Sequence, residues 1–302
     1  MRFGIFTSMG NQTWPGVLEL WKHAEATKWD VACVTDHFMP DGEATRVPYT
    51  ESWTTLAGIA ASVPRIRIGP LVTGNTYRHP AVLAKMAATV DHMSGGRLVL
   101  GLGAGWQENE HEAYGIPFYT MRERLERLDE ACQVMKSLWT QDRSNFKGRY
   151  YTLSDAPLQP KAVQKPHPEL MIGGGGEKVT LRIAAKFADE WNVWGDVATL
   201  RKKMAILDGY CAEIGRPPRA IQRSAVALLF LTDDRALVEK MRSRPIGRPT
   251  IIGNADEVRE IVRAYREAGV DELIVPDFTL GPRDQKLATL DKFIREVATP
   301  NR

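Results

Sequence analysis

Arg97-Leu98-Val99-Leu100-Gly101-Leu102-Gly103-Ala104-Gly105-Trp106 is the stretch on which the fold of this chain turns. A helical segment, Pro80 to Met93, runs into the Gly95-Gly96 break just before it. An apolar run of strand length then dissolves into glycines at its carboxyl end. Such a run reads as a buried parallel strand, covered on both faces. Its last residues must let something large approach the backbone. Leu170-Met171-Ile172 repeats the idea ahead of Gly173-Gly174-Gly175-Gly176 and another helix. Two glycine-rich strand ends point to a cofactor lying across the carboxyl face of an α/β sheet or barrel.

Outward from this stretch, apolar strand-length runs alternate with helical patterns along the chain. The expected strands are Phe3–Thr7, Val31–Thr35, Ile66–Val72, Leu98–Leu102, Leu170–Gly173, Trp191–Trp194, Ser224–Leu231 and Glu272–Pro276. Val82, Met86, Val90 and Met93 form one helical stripe, and Leu125, Leu128, Cys132, Met135 and Trp139 form another. Val258, Ile261, Tyr265 and Ala268 make a third, ended by Gly269. Strict alternation with eight strands predicts a (β/α)8 TIM barrel with insertions at its carboxyl-terminal face. We read residues 1–302 as one domain. Its main insertion is at 142–167, where Lys147 to Tyr151 resembles a hairpin turn. Trp106–Thr120 and the basic loop Arg242–Thr250 also break the rhythm.

The 302 residues carry a formal charge of +3 and no lysine-rich tail or stripe, which argues against nucleic acid. Cys33, Cys132 and Cys211 have no metal spacing and read as reduced core thiols, so a cytoplasmic protein is expected. The first residues read as a strand rather than a signal peptide, and no apolar run reaches membrane-spanning length.

Asp36-His37 directly follows the second strand, and side chains at barrel strand ends face the site. A histidine there suits acid/base work, beside the alternative of a structural hydrogen bond. His79 and His167, each before a proline, and His92, late in a helix, are weaker candidates. Gly173–Gly176 ahead of a helix favours a phosphate against free N–H groups, or else close packing of strand on helix. Neither glycine cluster matches a dinucleotide fingerprint or a P-loop. His111-Glu112 lacks the second histidine of a zinc protease helix, so no metal is expected. The acidic run Glu108, Glu110, His111, Glu112 reads as a solvated helix face. Trp106 and Trp194 fall on the carboxyl face, where they suit an aromatic or apolar substrate. The arginines Arg242, Arg244 and Arg248 read as a solvated loop outside the site.

Thr35-Asp36-His37-Phe38, Tyr77-Arg78-His79-Pro80, Ser94-Gly95-Gly96-Arg97, Gly101–Trp106 and Gly173–Gly176 together resemble the bacterial luciferase-like family, and within it the coenzyme F420-dependent (deazaflavin) oxidoreductases. The resemblance runs from Met1 to about Ala268. It implies a barrel with a flavin or deazaflavin over its mouth, and a homodimer packed through early helices. It implies that His37 handles a proton, or stabilises charge, as hydride moves at ring carbon C5, and that Asp36 contacts the cofactor. A cis peptide joining Leu71 to Val72 is implied, with Thr73 and Gly74 following on the cofactor wall. Gly103, Ala104, Gly105 and Trp106 are implied near the cofactor and its tail, and Gly174, Gly175 and Gly176 near its phosphate. Two positions depart from the sugar-phosphate dehydrogenases of the family. Asp41 stands where they carry tryptophan, and Trp106 where they carry glutamate.

The function expected is therefore F420-dependent hydride transfer to or from a small, apolar or aromatic organic substrate. An FMN-dependent luciferase-like monooxygenase, served by a partner flavin or F420 reductase and using O2, is the alternative. A non-catalytic flavin-binding barrel is a third reading, against which Asp36-His37 speaks.

Overall fold

The computed structural model describes residues 1–42, 46–244 and 246–302. In chain order its elements are β1 (Arg2–Thr7), α1 (Trp14–Ala26), β2 (Val31–Val34), α2 (Ser52–Ser62), β3 (Arg67–Pro70), β4 (Thr73–Gly74), α3 (Pro80–Ser94) and β5 (Val99–Gly103). Next come α4 (Glu108–Tyr114), α5 (Met121–Thr140), β6 (Arg143–Lys147), β7 (Thr152–Pro157), β8 (Glu169–Gly173), α6 (Thr180–Phe187), β9 (Glu190–Trp194) and α7 (Val197–Glu213). The chain then runs through β10 (Gln222–Val226), β11 (Leu228–Leu231), α8 (Arg235–Ser243), β12 (Thr250–Gly253), α9 (Ala255–Glu267), β13 (Glu272–Pro276) and α10 (Arg283–Phe293).

Nine parallel strands pair in the order β3-β2-β1-β13-β10-β9-β8-β5-β4. The ring closes because β3 and β4 are the two halves of one barrel strand. The first half pairs with β2 and the second with β5, and Ile68 bridges to Leu98. The expected strand Ile66–Val72 is thus broken at its carboxyl end, where the Leu71–Val72 peptide is cis. This is the (β/α)8 barrel that the alternation predicted, with helices on its outer face.

Two other expectations are corrected. The run Ser224–Leu231 is two strands, because Ala227 turns the chain outward. Leu228–Leu231 then leaves the barrel to pair in parallel with β12, whose first residue, Thr250, is the last of the expected loop Arg242–Thr250. The stripe of α3 is also different. Val82 and Met93 are exposed, and the buried face is Leu83, Ala84, Ala87, Ala88 and Val90. The 142–167 excursion contains the expected hairpin, β6 against β7, closed by Gly148 N–H donating to the Tyr151 carbonyl at 2.9 Å. The α5 stripe is buried from Leu128 to Trp139, and Gly269, at φ +97°, follows the end of α9.

Inside the barrel, Phe6, Val31, Cys33, Leu71, Val99, Met171, Val226 and Ile274 pack as one cluster, with Val72 and Trp194 against it. The glycines of the opening stretch are explained here. A Cβ on Gly101, Gly103 or Gly173 would meet the Val72 side chain at 2.9, 2.8 and 2.8 Å, and on Gly101 also the Pro70 carbonyl. The group these strand ends admit is the side chain of Val72, which the kink of the third strand turns into the barrel.

The other end of the barrel is closed by charge. The first residues of six strands, Arg2, Arg67, Glu169, Glu190, Gln222 and Glu272, form one network. Arg2 Nε donates to Glu272 at 2.8 Å, Arg67 Nη1 to the same oxygen at 3.4 Å, and Gln222 to Glu169 at 3.3 Å. Glu190 is fully buried and stands off from both arginines, at 3.7 and 3.9 Å.

Candidate active site

The residues expected at the site lie on one continuous arc of the carboxyl-terminal rim: after β2, along β4, and beyond β5 and β8. His37 follows β2, where the backbone leaves the sheet. Its Nδ1 is 2.7 Å from Glu110 Oε1, and the other oxygen of Glu110 accepts from Phe38 N–H at 2.8 Å. Tyr77 Oη donates to Oε1 as well. Trp106, 55% exposed, meets the His37 ring edge to face, with centroids 5.4 Å apart.

Glu110 is fully buried. Burial pushes its carboxyl upward, but the bonds from His37, Tyr77 and Phe38 N–H outweigh that and hold it below the usual range. It is thus ionised near neutrality and can only accept hydrogen bonds. Tyr77 moves the other way, raised by burial and by donating to that carboxylate.

Asp36 is buried and faces Arg78, which donates to its two oxygens at 2.7 and 3.2 Å and to Glu51 at 2.7 Å. Its carboxyl is pushed up by burial, against the pull of Arg78. Both carboxylate oxygens are engaged inside the protein, beneath the rim rather than on it.

The rest of the arc is held from behind by buried indoles. Trp53 Nε1 donates to Thr73 Oγ1 at 2.9 Å, and Trp191 Nε1 to the Gly174 carbonyl at 2.8 Å. Gly74 packs against the Tyr77 ring. Gly105 sits at φ +81°, a conformation that L side chains rarely adopt, and a Cβ there would meet Thr76 Oγ1 at 2.7 Å. Its carbonyl accepts from Arg124, and Ala104 is half-buried between it and Gly103. At the four-glycine turn, Lys203 of α7 donates to the Gly175 carbonyl at 2.6 Å and lies 3.2 Å from Glu177, while Gly176 packs against Thr180. Among the described residues, none accepts from the N–H groups of Gly175 and Gly176.

Four contributors, Glu110, Tyr77, Arg78 and Lys203, were not assigned to the site from sequence. The solvated-face reading of the acidic run is corrected: Glu110 and His111 are buried, while Glu108 and Glu112 are not. The signal was present, because Gln107, Glu110 and His111 fall at i, i+3 and i+4, one face of a helix. His111 is spent internally, on Gln107 O at 2.6 Å and Thr76 Oγ1 at 2.7 Å. His79 caps α3, and His92 and His167 bond backbone carbonyls. In the basic loop, Arg248 lies 4.8 Å over the Trp194 ring, and Arg242 bonds Glu257 and the Ile252 carbonyl.

A cavity of about 810 Å³ lies between the loops after β1, β2 and β13, walled also by α1 and α10. Leu20, Val47, Tyr49, Phe278 and Leu287 supply its apolar walls, and Pro40 and Asp41 bring it to within a few residues of His37. Its cations are paired: Lys286 with buried Asp277 at 2.7 Å, and Arg283 with Glu19.

The model of the family described as luciferase-like monooxygenase matches residues 1–248. The chain belongs to the bacterial luciferase-like family. Among luciferase-like relatives, an F420-dependent glucose-6-phosphate dehydrogenase of Amycolatopsis mediterranei is 37% identical over 154 residues, half of this chain and 45% of that protein. An FMNH(2)-dependent dimethylsulfone monooxygenase of Pseudomonas putida is 31% identical over 173 residues, 55% of this chain and 47% of that one. The chain thus spans about half the length of these curated relatives. The same barrel is found in an F420-dependent secondary alcohol dehydrogenase solved with an F420-acetone adduct (TM-score 0.84, 21% identity, 98% of each chain). It recurs in the coenzyme F420-dependent tetrahydromethanopterin reductase of Methanopyrus kandleri (TM-score 0.83, 19% identity, covering 100% of this chain and 99% of that one). Among the described residues no helix is long and apolar enough to cross a membrane.

Proposed function

We propose that this chain is an F420-dependent oxidoreductase acting on a small apolar or aromatic substrate. The observation that carries the reading is His37 at a strand end, one nitrogen bound to a buried carboxylate and its ring against exposed Trp106. A luciferase-like barrel with relatives named as F420-dependent dehydrogenases supplies the cofactor class.

The residues present fit a long anionic cofactor. Among the described residues, Gly175 and Gly176 keep N–H groups without protein acceptors, and the Lys203 ammonium stands at the same turn. The buried Asn75 Oδ1 and Arg124 Nε are also without a partner among the described residues, close to Gly103 and Gly105. Leu71, Val72, Thr73 and Gly74 would form the wall beneath the ring. Gly103, Ala104, Gly105 and Trp106 would flank it, and Gly174–Gly176 with Lys203 would hold the phosphate. When bound, a deazaflavin supplies the hydride chemistry at its ring carbon C5. The chain's own work is to position the reactants and to manage the proton. His37 takes up or releases a proton at Nε2, the nitrogen that Glu110 leaves open. Asp36 serves from within, fixing Arg78 and thereby the loop beneath the site.

The cavity between the loops after β1, β2 and β13, which Pro40 and Asp41 of the His37 loop help to line, would take the substrate. With Arg283 and Lys286 already paired, its lining offers a phosphate no uncommitted cation among the described residues. That, with Asp41 and Trp106, favours an apolar or aromatic compound over a sugar phosphate. The homodimer belongs to the same reading, with Val82 and Met93 on the outer face of α3 as apolar contacts. So does a cytoplasmic setting, given three buried free cysteines.

The second reading is an FMN-dependent monooxygenase fed by a partner reductase, and the relative from Pseudomonas putida favours it. Fluorescence titration of the purified protein with F420 and with FMN separates the two. We expect micromolar or tighter binding of F420. Tight FMN binding with none of F420 would move the assignment to the monooxygenase.

A further inference from the structure

Glu110 belongs to neither glycine cluster, yet it is among the most completely enclosed charges near the rim. Fully buried, it spends Oε1 on His37 Nδ1 and Tyr77 Oη, and Oε2 on the backbone N–H of Phe38, the residue after His37. We infer that Glu110 is the positioning residue of the proton-transfer site: it holds the neutral His37 in the tautomer with the proton on Nδ1, so that Nε2 presents its lone pair. This deepens the role proposed for His37 and rests on that reading.

The hydrogen-bond inventory leads there. A carboxylate that receives an amide N–H and a phenol has only acceptor capacity left, so His37 Nδ1 must be the donor. In a neutral imidazole the other nitrogen then carries no hydrogen. Among the described residues Nε2 has no protein partner, so it is the nitrogen open to exchange a proton. When it gains one, the imidazolium charge lies 2.7 Å from a carboxylate already ionised and already desolvated. Little reorganisation is then needed as the charge appears. The departure at Trp106 gains a meaning as well. This chain has no carboxylate directly after the glycines, and the nearest buried one, a turn further on in α4, addresses the histidine from behind.

The arrangement makes Glu110→Gln a sharper test than deletion. Phe38 N–H can be satisfied only by the amide oxygen, which turns the amide NH2 toward His37 Nδ1. Nδ1 must then accept, and the proton moves to Nε2. The measurement is the imidazole 15N spectrum of His37 at a pH where it is neutral, assigned by its loss in His37→Ala. The full chain is used, without cofactor. We expect a protonated Nδ1 and bare Nε2 in the wild type, the reverse in Glu110→Gln, and the wild-type pattern in Glu110→Asp and Tyr77→Phe. A wild type with its proton on Nε2 overturns the inference, even if no Glu110 or Tyr77 variant folds. So does the same tautomer in wild type and Glu110→Gln. The readout needs no bound flavin. Failure to bind F420 or FMN would sink the cofactor reading, whereas an unexpected tautomer would sink only the role of Glu110.

Discussion

A side chain that moves protons needs one face secured and the other open, and His37 has both. Its Nδ1 is secured by Glu110, and Trp106 screens one flank of the ring while remaining largely exposed itself. Replacing the imidazole should remove the proton route without removing the groups that would hold a cofactor. We expect His37→Ala to keep F420 affinity and to lose roughly 10²- to 10⁴-fold in kcat, the usual span for a positioned acid/base. Stopped-flow absorbance of F420 with substrate measures this, and an unchanged kcat would leave His37 a structural hydrogen-bond partner. Position alone made Asp36-His37 readable, because the pair follows an apolar run directly. Glu110 was hidden by its company. Three carboxylates within five residues look like solvent-facing charge, and only the helical phase, which turns Glu108 and Glu112 outward, separates the buried one. Tyr77 and Arg78 were visible as a motif, but their contacts join separate loops, and sequence spacing carries no such information.

At the scale of elements, the rim is pinned by indoles reaching strand ends from behind. Trp21 of α1 bonds Thr7 at 3.1 Å, Trp53 of α2 bonds Thr73, and Trp191 of β9 bonds Gly174. Each is buried, so its N–H must find a partner, and a strand-end oxygen answers in all three cases. Lys203, on the second turn of α7, adds a positive charge to the most glycine-rich of these ends. Lys203→Gln should weaken F420 roughly 10- to 150-fold, equivalent to the about 1.5–3 kcal/mol of a hydrogen bond to a charged group. It should leave the affinity of the phosphate-free deazaflavin core unaltered. Calorimetric titration of both ligands checks this, and equal losses for the two would make the lysine merely a prop for the turn. Strand identity was legible where apolar runs were bounded by glycine or proline. It failed in Ser224–Leu231, because no breaker marks Ala227 and the change of pairing partner is a long-range event. The α3 stripe failed for another reason. Its inner face is mostly alanine, which adds little hydrophobic weight but lets neighbouring helices approach closely, as Trp139 Nε1 does in bonding Ala84 O at 3.0 Å.

For the molecule as a whole, eight βα units were countable from the chain and predicted the closed barrel; the way one strand completes the ring was not legible. That closure depends on one strand dividing its hydrogen bonds between β2 and β5. Nor was the charged network at the amino-terminal end foreseeable, since its six members are scattered from Arg2 to Glu272. Glu190 is the anomaly within it. Burial, and then the neighbouring Glu272, push its carboxyl well above the ordinary range. The folded protein therefore holds a proton there that the unfolded chain releases above about pH 4.3. Between that value and the raised folded value, the native state binds more protons, so this group's contribution to stability falls as pH rises. Glu190→Gln removes the titration. Its thermal midpoint should decline less than that of the wild type as pH rises from about 4.3, as followed by circular dichroism, and parallel declines would contradict the assignment. The same network also sets the traffic of the molecule. With one end stoppered by six interlocked polar side chains and the bore filled by Val72 and its neighbours, the barrel is a cup and not a conduit. Anything the barrel binds must therefore arrive and depart on the rim side, because no passage runs through the bore.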